Sequence, residues 1–105
     1  MMTADINLQV WLDIIPGTQP SVVVPYVKSP TSGIVQYQLN ATKKGLSGTS
    51  SISQSGGVRV QADHPTALTR FSMSLGAQDQ CKIELTLFAN GHETGTYQFD
   101  CPRPR

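Results

Sequence analysis

From Thr66 to Cys101, apolar side chains fall on every second position, and both cysteines share that register. Ala67, Phe71, Met73 and Leu75 have odd parity, as do Cys81, Ile83, Leu85 and Leu87, and then Tyr97, Phe99 and Cys101. A repeat of two puts alternate side chains on one side of an extended chain, so these runs predict β-strands with one buried face. Asn90-Gly91-His92 separates the last two runs, and Asn-Gly favours a tight hairpin because both residues tolerate positive φ. A three-residue loop pairs Leu87 with Gly95, Leu85 with Tyr97, Ile83 with Phe99 and Cys81 with Cys101. A two-residue loop shifts the partner by one and turns Tyr97 and Phe99 away from the core, so the hydrophobic pattern selects the first register. Facing cysteines then make a cross-strand disulfide geometrically reasonable.

Upstream, Ile6, Leu8, Val10 and Leu12 alternate with polar Asn7, Gln9 and Asp13, with Trp11 on the otherwise polar side, until Pro16-Gly17 ends the run. A second strand covers about Ser21 to Lys28, and Pro25 inside it cannot donate to a ladder, which predicts an edge or a bulge. After Ser29-Pro30-Thr31-Ser32-Gly33, a third strand buries Val35, Tyr37, Leu39 and Ala41 and shows Gln36, Gln38 and Asn40 to water, closing at Lys43-Lys44-Gly45. Residues 45–57 are rich in Gly and Ser and read as a mobile or irregular segment, with Ile52 anchoring at most a short strand. Val58, Val60 and Ala62 form a further strand, stopped by Asp63-His64-Pro65. Short strands at spacings near ten residues, with no helical period and no βαβ pattern, predict an all-β fold: a seven-stranded antiparallel Ig-like β-sandwich. A small closed barrel is the competing architecture.

A chain of 105 residues has room for one core, so residues 1–105 are expected to form a single sandwich domain with flexible termini at 1–4 and 102–105. Charged residues make up 14% and nearly balance at +1, which offers no global field to nucleic acid. No apolar run approaches the length that spans a bilayer as a helix. Two cysteines in a small all-β chain favour one structural bridge, which persists in oxidising compartments; two buried free thiols in a cytosolic protein is the other reading. The chain begins Met-Met-Thr-Ala-Asp without a basic and then apolar leader, so it is read either as cytoplasmic or as a mature form whose export signal was removed. The disulfide favours the second, a periplasmic location.

No catalytic, cofactor-binding or metal site stands out, and the protein is not read as an enzyme. His64 and His92 sit in turns without ligand partners at metal spacing, no Gly-x-Ser-x-Gly elbow occurs, and the carboxylates are scattered. Cys81 and Cys101 could form a redox pair, but a catalytic dithiol favours an exposed Cys-x-x-Cys, whereas these lie 20 residues apart on a core-facing parity. Distributed charge is what remains. Lys28, Lys43, Lys44, Arg59, Arg70 and Lys82 fall at strand ends or on polar parity, where they either steer an acidic partner or protect strand edges from pairing.

The runs Ile34-Val-Gln-Tyr-Gln-Leu, Lys44-Gly-Leu-Ser-Gly-Thr-Ser, His64-Pro-Thr-Ala-Leu-Thr-Arg-Phe-Ser-Met-Ser-Leu and Gln78-Asp-Gln-Cys-Lys-Ile-Glu-Leu-Thr-Leu resemble the curli assembly proteins of the CsgC-like family, in particular its CsgH branch in alphaproteobacteria. The resemblance covers about residues 33 to 92, and the Pro-x-Ala-Leu-Thr-Arg block followed by an alternating strand is its most specific part. It implies an exported Ig-like sandwich that holds amyloidogenic curli subunits off the fibre pathway, and implies those subunits as partners of a monomeric protein. The enterobacterial branch carries Cys-x-Cys at the start of the third strand, where this chain has Thr31-Ser32-Gly33, so thiol chemistry at that position does not transfer. The expected function is a chaperone-like amyloid inhibitor, with the six cations named above as client contacts. The alternative is a thiol-disulfide oxidoreductase module of secretion.

Overall fold

The structure, a computed structural model, describes residues 8–15, 21–46, 48–74, 76, 78–89 and 91–101. The termini expected to be flexible, and Ile6 and Leu75 of the alternating runs, lie outside the described residues. Among the described residues eight strands follow in order: β1 (Gln9–Ile15), β2 (Ser21–Lys28), β3 (Gly33–Gly45), β4 (Gly48–Val60), β5 (Thr66–Ala67), β6 (Phe71–Met73), β7 (Gln80–Ala89) and β8 (His92–Asp100). A first sheet orders β1-β2-β5, with β6 also on β2, and a second orders β4-β3-β7-β8; every pairing is antiparallel. Val23, Val27, Leu68 and Phe71 of the first sheet's side meet Val35, Leu39, Ile83, Leu85 and Leu87 of the second in one buried cluster. This is the antiparallel sandwich that the period of two predicts, with eight strands in place of seven.

The extra strand comes from Pro25. It pairs with Leu12 of β1 in the middle strand of the first sheet and is almost fully buried, neither at an edge nor outside the ladder. Its carbonyl accepts from the Leu68 N–H at 2.9 Å, so its nitrogen, which has no hydrogen, faces the same neighbouring segment. Opposite it the partner strand breaks into β5, on Tyr26 and Val27, and β6, on Ser21 to Val23. The alternation slips at that break. Ala67, expected inside, is exposed, while Leu68, Phe71 and Met73 are buried.

The larger departure is β4. Residues 48–60 form one continuous strand that pairs with all of β3, from Gly45 with Gly48 to Gly33 with Val60, where composition predicted an irregular segment over 45–57. Gly and Ser have low strand propensity, but β3 supplies a full ladder, and Ile52, Gln54, Val58 and Val60 turn inward to pack beside the core. The strand ends at Val60, so Ala62 belongs to the following turn.

In the last hairpin Leu87 pairs with Gly95, Leu85 with Tyr97 and Ile83 with Phe99, as the hydrophobic pattern predicts. The turn differs: Ala89 pairs with His92, leaving two positions between them, and a bulge between Leu87 and Phe88 takes up the extra residue Thr94. The Thr94 hydroxyl donates to the Leu87 carbonyl at 3.1 Å, satisfying the ladder where it is interrupted. Cys81 and Cys101 are joined by a disulfide with Cα atoms 5.3 Å apart, and the Cys101 N–H donates to the Cys81 carbonyl at 3.2 Å. Both half-cystines are buried, at 7% and 8% exposure, with the Met73 sulfur packed against the bridge.

Candidate functional site

In β3 the odd positions point to the core, so the even ones, Gln36, Gln38, Asn40, Thr42 and Lys44, form the spine of the outer face of the second sheet. Register places Ser55, Ser53, Ser51 and Thr49 of β4 on one side of Gln38, Asn40, Thr42 and Lys44. Thr86, Glu84, Lys82 and Gln80 of β7 stand on the other side, with Thr96, Gln98 and Asp100 of β8 beyond. The result is a broad face of amides and hydroxyls. Cross-strand pairs order it: Ser53 Oγ donates to Asn40 Oδ1 at 2.8 Å, the Thr86 and Thr96 hydroxyls meet at 3.2 Å, and Gln98 Nε2 donates to Glu84 Oε2 at 3.4 Å.

The six cations do not converge on one patch. Lys44 and Lys82 are diagonal cross-strand neighbours on this outer face, beside the disulfide, where an open depression of about 760 Å³ is lined also by Asp79 and Asp100. Lys82 is ion-paired with Asp100, so that end carries both signs of charge. Arg59 lies on the same face beside Ile34, ten positions from Thr49 and about 33 Å along the strand. Lys43 has the inward parity of β3, and its Nζ donates to the Ser74 carbonyl at 2.8 Å, tying the second sheet to the end of β6. Lys28 sits on the outer side of the first sheet opposite Gln9, and Arg70 is exposed in the β5–β6 connection, its carbonyl accepting from Gln54 Nε2 at 3.4 Å.

The sequence reading missed the extent of this polar face and the strand that borders it. The alternation Ile52, Gln54, Val58, Val60 is the signal that could have placed 48–60 in the sheet, but Gly56 interrupts it. The other outer face, of the first sheet, is different in kind: Trp11 and Tyr26 stack across β1 and β2 at 5.7 Å and 10° between planes.

Thr31 and Ser32, at the position where the resemblance led to a comparison with Cys-x-Cys, serve a turn. Buried Ser29 Oγ donates to the Thr31 carbonyl at 2.8 Å and accepts from the Thr31 N–H, while Ser32 Oγ accepts from the Ala62 N–H at 2.9 Å. Among the described residues no three His, Cys, Asp or Glu side chains are grouped to hold a metal. His64 Nδ1 lies 2.9 Å from the Ala62 carbonyl within its own turn. Among the described residues no helix is long and apolar enough to cross a membrane. Burial of both half-cystines withholds the exposed thiol that the oxidoreductase alternative requires.

No curated protein matches the chain in sequence. In fold it is similar to the solution structure of R. palustris CsgH, with a TM-score of 0.71 at 16% identity over 89% of this chain and 91% of that one. It is likewise similar to the structure of the E. coli curli protein CsgC, with a TM-score of 0.70 at 22% identity over 89% of this chain and 98% of that one. The family model for Tafi-CsgC, described as thin aggregative fimbriae synthesis protein, matches residues 1–98. The chain therefore belongs to the Tafi-CsgC family of thin aggregative fimbriae synthesis proteins.

Proposed function

We propose that this protein takes part in curli assembly as a periplasmic, chaperone-like inhibitor that keeps amyloidogenic curli subunits from nucleating. It acts by reversible binding, with no cofactor and no covalent step. One observation carries the reading: in a chain of this family, the outer face of the second sheet offers a wide row of hydroxyls and amides with Lys44 and Lys82 at one end and Arg59 at the other. An unfolded subunit finds hydrogen-bonding partners on such a face without being buried. Separated cations steer an acidic chain into transient encounters. An exported location fits the disulfide, since such bridges persist in oxidising compartments.

The test mixes the purified protein at low ratio with a curli subunit and follows fibrillation by dye binding as salt is varied. Lag extension that weakens with salt is expected, because the contacts lie on exposed charges. Reversing Lys28, Lys44, Arg59, Arg70 and Lys82 to Glu, with the fold checked by circular dichroism, should remove the extension. Lys43 is left in place because it holds Ser74. Unchanged inhibition by the reversed variant would remove electrostatics from the account.

A further inference from the structure

The four edges of the two sheets, one of them shared by β5 and β6, are guarded unequally. In the first sheet, β5 and β6 have two and three residues, and β1 carries Asp13. In the second, β8 carries Glu93, Asp100 and a bulge. Strand β4 has 13 residues, no proline, no acid, no lysine and one charge, Arg59, near its end. Shortness, charge, proline and bulges are the devices that stop edge pairing, and β4 has almost none of them.

Which of its backbone groups face outward follows from the ladder. The Cys101 N–H bonds the Cys81 carbonyl, so odd residues of β7 point their backbone groups to β8 and even ones to β3. Carried through the register, even residues of β3 bond β7 and odd residues bond β4. The N–H and C=O groups of Thr49, Ser51, Ser53, Ser55, Gly57 and Arg59 therefore point away from the sheet.

Gly57 sets a side-chain preference on this edge. Its φ is not positive, and a Cβ there would make only ordinary contacts, 3.6 Å from Gln36 Cγ and 3.8 Å from Ile34 Cγ2. Among the described residues nothing crowds a side chain at this position. Its absent side chain leaves a notch bordered by Gln36, Gln38, Ser55 and Phe88.

We propose that the free edge of β4 receives an extended, uncharged polar segment of the subunit as an additional strand, with one large amide or aromatic side chain lying across Gly57. This deepens the proposed function and rests on it for the identity of the client. Backbone pairing supplies the affinity, the notch supplies the register, and a captured strand edge is withdrawn from further subunit addition.

Two variants test it. Ser53→Pro removes an N–H that points outward, sparing the β3 ladder while blocking the edge, and Gly57→Val fills the notch with a residue suited to a strand. Both are checked for an intact disulfide and an unchanged urea midpoint, then mixed with freshly desalted curli subunit in the dye assay. Loss of lag extension in Gly57→Val, and in Ser53→Pro if it folds, is expected. Amide exchange of the wild-type protein should slow at Thr49, Ser51, Ser53, Ser55, Gly57 and Arg59 when subunit is added. Full lag extension by folded Gly57→Val together with unprotected edge amides overturns the edge and leaves the inhibitor function standing, whereas a wild-type protein that never delays the subunit overturns the function itself. Edge protection that grows with the protein's own concentration, without subunit, assigns the edge to a second copy and also overturns the proposal.

Discussion

Tyr37 lies across Gly56. The two face each other between β3 and β4, and a Cβ built on Gly56 would stand 2.9 Å from Tyr37 Oη and 3.2 Å from two ring carbons. A tyrosine ring covering a strand glycine recovers the packing that the glycine itself cannot provide. The neighbouring Gly57 has no such cover from its own strand partner, so two consecutive glycines play different parts.

Gly56→Ala should therefore displace the ring and cost about 1 kcal/mol, whereas Gly57→Ala should stay within about 0.5 kcal/mol of the parent. Urea denaturation checks both. In a domain of this size, about 1 kcal/mol corresponds to roughly 4–8 °C in Tm. Equal effects at the two glycines would show that Tyr37 does not depend on the missing side chain.

The bridge between Cys81 and Cys101 closes a loop with a sequence separation of 20, so Cys81→Ala/Cys101→Ala should lower stability by about 3 kcal/mol through the freed unfolded chain. Burial makes a second prediction. Native protein without reductant should take up no alkylating agent, and denatured, reduced protein should take up two equivalents. Labelling of the native protein would revive exchange chemistry at this pair.

How much of this was legible in the sequence differs from strand to strand for physical reasons. The β7 and β8 pairing is legible because alternating Leu, Ile, Tyr and Phe admit one register, with the cysteines opposed. Strand β4 is legible only at Val58 and Val60, because Gly56 breaks the alternation that Ile52 and Gln54 begin and the order of the Gly- and Ser-rich part is imposed by β3. Pro25 is legible as a ladder defect, but the break it causes lies in the neighbouring strand, between β5 and β6, which its own sequence context does not reveal. The six cations were legible as charge but not as a site. Parity told nothing of which sheet's outer side Lys28 occupies relative to Lys44, and Lys43 continues the inward row of Leu39 and Ala41.

Ser29 is a buried polar residue at the junction of two turns, its hydroxyl paired with the backbone N–H and C=O of Thr31 and its carbonyl with the Asp63 N–H at 2.7 Å. Ser29→Ala removes the hydroxyl and leaves the Thr31 groups to find other partners, at a cost of about 1–2 kcal/mol. A urea midpoint unchanged from the parent would mean that water replaces the serine without loss.

Thr94 makes the strongest test of the hairpin. A two-residue connection from Ala89 to His92 would by itself put Tyr97 and Phe99 on the outer face; the bulge adds one residue on β8 and turns them back. Deleting Thr94 removes the extra residue, so Phe88 still meets Glu93, Leu87 still meets Gly95, and everything beyond keeps its facing. That variant should fold, form the Cys81–Cys101 bridge and lose about 1 kcal/mol with the hydroxyl bond to the Leu87 carbonyl. Deleting Thr96 as well leaves no bulge to absorb the change: Tyr97 then stands opposite Thr86, Phe99 opposite Glu84, and Cys101 opposite Lys82 on the solvent side. Thiol titration of the unreduced variants should find no free thiol in the single deletion and two in the double. A bridged, cooperatively unfolding double deletion would show that something other than side-chain parity sets this register.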